Sequence, residues 1–230
     1  LRLLQNVWQH KALPLAILFF GGFLALFMLF GLLSWFTDVL ERFYDITGFG
    51  KGFVIAIPVL IMAILSYITG ILLQKKLSGY MKWVAVAGLV FSTAGLLFVG
   101  LDKGLIFLIS SISLLGIGNG LFLPSINMLI TSSVGTEARG ILTSLYGTVR
   151  FMGAALGPPA FGLATELGQL TMGLVSAGVM AAAFLLTAFF VHQNELLHAE
   201  SVGRQTASPS KPEKREVVLH SFFQRRKRLK

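Results

Sequence analysis

Residues 12–36 read ALPLAILFFGGFLALFMLFGLLSWF, twenty-five residues without a charge. In a helix rising about 1.5 Å per residue, that run outspans a bilayer core of roughly 30 Å. Working outward, the charge-free run ends just before Asp38, and five more follow. They cover 53–73, bounded by Lys51 and by Lys75 and Lys76; 83–101; a stretch from 105 that stays uncharged until Glu137; 141–165, which carries Arg150; and 167–191. The fourth is longer than a straight span requires, so it is expected to tilt, protrude, or kink near Gly118, Asn119, Gly120 and Pro124. Period-two alternation is absent and each run far exceeds the roughly 10 residues of a barrel strand. The expected fold class is therefore all-α, a polytopic membrane protein with six transmembrane helices. A removable signal peptide is a poor reading of the first run, which is about twice the length of a signal's apolar region and has five successors.

Composition agrees. The chain has 230 residues, 55% hydrophobic and 13% charged, against about 25% charged in an average soluble domain. Nine of its nineteen Lys and Arg lie in residues 192–230, so the net charge of +9 belongs largely to a tail and loops. That distribution argues against nucleic acid as a partner and makes membrane lipid the expected surroundings. With no cysteine, disulfides, thiolate metal sites and thiol nucleophiles are excluded.

Three segments follow: residues 1–11 as a cytoplasmic lead-in, 12–191 as the six-helix bundle, and 192–230 as a disordered basic cytoplasmic tail. Fifteen Lys and Arg fall on the side of both termini, in the lead-in, the loops holding Lys75, Lys76, Lys82 and Arg139, and the tail; the opposite loops hold Arg42, Lys51 and Lys103. Basic residues favour the cytoplasmic side, so a multi-pass protein of the cell membrane with both termini inside is expected. The tail is too polar to offset its ordering entropy. Its last ten residues combine two phenylalanines with five Lys and Arg, which suits an anionic leaflet or simply a solvated topology-fixing tail.

Arg150 is the one charge in the middle of a span. Placing it there costs at least about 2.5–3.5 kcal/mol, so it must face protein or water. Thr143, Tyr146, Gly147, Arg150, Gly153, Ala154 and Gly157 share its face at spacings of three and four. That face reads either as a cavity wall with a fixed positive charge, or as an arginine capping carbonyls of a broken neighbouring helix. In the fourth run, Gly116 and Gly120 suit close helix packing, Asn119 and Asn127 are cavity candidates, and Pro124 is a hinge candidate. Ser34 is a cavity candidate in the first run, one turn before Asp38, which reads as a solvated helix-end carboxylate. Gly153, Gly157 and Pro158 are further packing or hinge positions. No Asp, Glu or His lies deep in a span, although proton relays normally use one.

Enzyme classes fare badly. No Gly-x-Ser occurs, the four histidines lie outside the spans without H-E-x-x-H spacing, and no G-x-x-x-x-G-K-[ST] is present. No cofactor and no metal site is expected. Asn-Pro is also missing, which removes the paired half-helices of a water or glycerol channel.

GIGNGLFLP at 116–124, EARG at 137–140, and then Tyr146, Arg150, Gly153 and Gly157 with Pro158 resemble helices ten and eleven of the major facilitator superfamily, most closely its bacterial drug-efflux members. The loop GILLQKKLSG at 70–79 resembles a worn Gly-x-x-x-Asp-Arg motif, with Gly70 in place, Gln74 where the family has Asp and Lys75 where it has Arg. The resemblance covers roughly residues 12–191 and implies the C-terminal half of a twelve-helix fold. It implies a secondary transporter exporting lipophilic drugs or other small molecules by proton-coupled alternating access, with a small-molecule substrate. It also implies a missing N-terminal six-helix half, or self-association in its place. The alternative is a six-span partner or assembly subunit with no transport activity alone.

Overall fold

A computed structural model describes residues 2–75, 78–101, 103–134 and 136–191, with side chains for 13–75, 79–101, 103–134 and 139–191. The expected tail, 192–230, lies outside the described residues. Among the described residues six α-helices run in order: α1 (Arg2–Tyr44), α2 (Gly48–Lys75), α3 (Met81–Val99), α4 (Leu105–Ser132), α5 (Thr136–Ala164) and α6 (Gln169–Phe190). Among the described residues there is no strand, so the all-helical class stands. Helix α1 begins at Arg2, making the 2–11 backbone continuous with the first apolar run. Helix α4 passes unbroken through Gly118, Gly120 and Pro124.

Among the described residues five helices are, by length and composition, long and apolar enough to cross a membrane: α1 from Leu13, α2, α3, α4 and α6. Helix α5 has the length, 29 residues, but Arg150, its glycines and the pair Pro158 and Pro159 dilute its apolarity. Two of those glycines, Gly153 and Gly157, form its contact with α1.

Three chain reversals, α1 to α2, α3 to α4 and α5 to α6, rest on residues that tolerate a left-handed backbone. Asp45 follows α1 at φ 53°, and the Ile46 N–H donates to the Leu40 carbonyl at 2.9 Å, closing the last turn. Glu41 and Lys51 then pair across the α1–α2 turn. Gly104 (φ 91°) and Gly168 (φ 82°) start α4 and α6 in a conformation that side-chain-bearing residues rarely adopt.

The core is layered by pairs: α1 lies along α5, α4 is flanked by α2 and α3, and α3 also meets α6. Small residues set the α4 contacts. A Cβ on Gly116 would sit 2.7 Å from the Pro58 carbonyl oxygen, and one on Gly120 would sit 2.9 Å from that of Met62, so both face the α2 backbone. Gly118 faces the other way, where a Cβ would lie 2.5 Å from the Gly88 carbonyl oxygen of α3. Such contacts let backbones approach and gain dispersion energy where lipid supplies no hydrophobic drive.

Candidate functional site

Helices α1 and α5 interlock through glycines facing aromatic rings. A Cβ on Gly22 of α1 would lie 2.5 Å from the Tyr146 ring, and one on Gly31 would run into that of Phe161. In return Gly153 packs on the Phe23 carbonyl, and a Cβ on Gly157 would come within 2.9 Å of the Gly31 amide nitrogen. Gly153 and Gly157 are four residues apart and therefore present one face of α5. Tyr146 is consequently buried, 1% exposed, with the Phe19 ring 5.6 Å away. Its hydroxyl is buried with no hydrogen-bond partner.

Arg150 sits one turn beyond Tyr146. Its guanidinium carbon is 5.5 Å from the centroid of the Tyr146 ring and 5.1 Å from that of Phe151. Aromatic faces attract a cation electrostatically. The side chain is half-buried, and its Nε has no hydrogen-bond partner. Among the described residues no carboxylate pairs with it. The structure thus brings a permanent positive charge, a phenol hydroxyl and two aromatic faces together at mid-helix, with two buried polar atoms unsatisfied.

The other candidate positions lie apart from this pair. Asn119 is fully buried: its amide donates to the Ala25 carbonyl of α1 at 3.2 Å and accepts from the Ser92 hydroxyl of α3 at 3.5 Å. It ties three helices together and leaves little capacity for a ligand. Asn127 is exposed, and Ser34 is half-buried in α1 beyond Gly31. Pro124 and Pro158 are half-buried inside their helices. Gly70 has open space around its Cα, while Gln74 and Lys75 are exposed at the end of α2, without an ion pair among the described residues.

Sequence reasoning missed the α1 side of this site. Phe20, Phe23 and Phe27 stack successively at 6.4 and 5.8 Å, and Phe27 meets Phe161 of α5 at 6.1 Å. Their spacing of three and four was a legible signal for one aromatic face of α1. The partner of Gly22 was not, since no local pattern pairs it with Tyr146.

The sequence pattern of the Major Facilitator Superfamily matches residues 1–158. The bacillibactin exporter of Bacillus subtilis strain 168 is 31% identical over 199 residues, covering 86% of this chain and 49% of that protein. Multidrug resistance protein MdtG from Salmonella dublin and from Salmonella arizonae is 30% identical over 167 residues, covering 69% of this chain and 40% of each relative. The chain spans about half the length, or less, of these curated relatives.

Proposed function

Because the chain belongs to the major facilitator superfamily, an integral-membrane transporter family rather than an enzyme family, we propose that it forms the C-terminal half of a secondary exporter. In this reading all six helices cross the cell membrane, with both termini in the cytoplasm. The substrate is a lipophilic or amphipathic small molecule, in keeping with relatives named as an exporter and a multidrug resistance protein.

The observation that carries the proposal is the Arg150–Tyr146 pair. Buried polar atoms without partners are costly, and an arginine at mid-span is costlier still. Their persistence fits a wall that receives its partner during the working cycle, from substrate or from an opposing half. Alternating access in this kind of fold is the rocking of one six-helix half against another around a site at the midplane. The proposed wall runs along α1 and α5, with Ser34 and exposed Asn127 as further polar positions. Asn119, spent on Ala25 and Ser92, belongs to the bundle's internal bracing. These helices offer proton coupling no deep carrier, since no Asp, Glu or His lies deep in a span.

The test is efflux from cells expressing the chain together with a facilitator N-terminal half. Arg150→Ala should abolish export or change its selectivity while the amount of protein in the membrane stays nearly constant. Loss of the protein from the membrane would assign Arg150 to folding instead.

A further inference from the structure

Where α1 and α5 finish and α4 and α6 begin, a cavity of about 850 Å³ opens between the helices, a size that suits drug-sized ligands. Arg150 does not line it, so this space is separate from the site described above. Trp35, Val39 and Leu108 are buried side chains that make an apolar floor. Asp38, Arg42, Lys103 and Glu166 also line it, two carboxylates and two cations.

These four charges are exposed, and among the described residues none forms an ion pair. Asp38 and Arg42 are four apart on α1, a spacing that permits pairing, yet they remain unpaired. The Lys103 ammonium lies 5.5 Å from the Phe107 ring centroid instead. Two neutral polar side chains are already spent, Thr165 donating to the Phe161 carbonyl at 3.0 Å and Gln169 to that of Val99 at 2.7 Å, while Tyr44 also lines the cavity. Gly104, Gly162 and Gly168 line the cavity too, and a Cβ on any of them would meet nothing within 4 Å, so the rim stays open.

We propose that this cavity binds an amphipathic zwitterion. The ligand's apolar body rests on Trp35, Val39 and Leu108, its cationic group lies by Asp38 and Glu166, and its anionic group lies by Arg42 and Lys103. A ligand carrying one sign only leaves two like charges of the site unanswered, which sets the preference. At a bundle end the same chemistry is offered by a zwitterionic lipid headgroup and by a soluble solute. The proposal does not rest on the transport reading.

The test uses the 230-residue chain in uncharged dodecyl maltoside, with Trp8→Phe and Trp83→Phe so that Trp35 is the fluorescent reporter. The probes are the dipeptide Phe-Phe as free zwitterion, as N-acetyl anion, as amide cation and blocked at both ends. The zwitterion should quench Trp35 saturably and bind about threefold or more tightly than the other forms, since each exposed charge contributes little. Asp38→Asn should move the preference toward the anion and Arg42→Gln toward the cation, with the blocked form unchanged. Equal quenching by all four forms, no quenching, or an order unmoved by both substitutions would overturn the proposal. Displacement by dihexanoyl phosphatidylcholine below its micelle concentration assigns the site to lipid headgroups, and failure to displace assigns it to soluble zwitterions; the class stands in both cases.

Discussion

Tyr146 and Arg150 can be separated by what each loses on substitution. The Tyr146 hydroxyl is buried without a partner, so its desolvation is a cost to the folded bundle. Tyr146→Phe should leave thermal stability in detergent unchanged or raise it by about 1 kcal/mol, the low end of such a penalty. If the hydroxyl serves substrate, the same variant lowers export in the paired-half assay; unchanged export with raised stability would make Arg150 alone the working group. Gly153 carries the opposite risk. A methyl group there meets the Phe23 carbonyl, so Gly153→Ala should destabilise by about 1–3 kcal/mol through overpacking, read as a lower melting temperature. Asn119→Ala removes the amide that joins Ala25 and Ser92 and should cost about 0.5–2 kcal/mol, in the range of hydrogen bonds between membrane helices. An unaffected melt would show that Asn119 does not brace the bundle.

At the scale of elements, each helix takes its register from its small residues. Gly116 and Gly120 set α4 on α2, Gly118 sets it on α3, and Gly153 and Gly157 set α5 on α1. In the proposed topology the direction of each crossing follows from loop charge, which labelling can check. Cysteines placed singly at Lys75, the last residue of α2, and at Lys103, before α4, should react with an impermeant reagent from opposite sides of the membrane, because α3 lies between them. Labelling of both from the same side would mean that α3 does not cross. A third cysteine at Gly140, early in α5, should match Lys75, and a mismatch would remove either α4 or the proposed arrangement of the termini.

For the whole molecule, half-length coverage of the relatives leads to the expectation that the chain alone inserts but does not drive transport. A six-helix half provides one wall of a path, and rocking needs the other. Its arginine stays protonated and cannot relay protons. Purified chain in liposomes with an imposed proton gradient should show no gradient-dependent drug movement, and adding an N-terminal half should restore it. Movement without a partner would show a self-sufficient transporter.

The charge-free runs made membrane helices legible from the sequence, because lipid cannot solvate either charges or open backbone groups. Resemblance around 116–124 and 137–158 made the family legible, and Arg150 stood out as a lone charge in an apolar run. Helix orientation was not legible. Helices apolar nearly all round carry little periodic contrast, so the pattern does not say which side meets which neighbour. Close packing decides that: Gly22 opposite Tyr146, Asn119 turned to Ala25 and Ser92, and Asn127 left exposed. The cavity between Asp38, Arg42, Lys103 and Glu166 likewise exists only once four helix ends from distant parts of the chain are gathered at one end of the bundle.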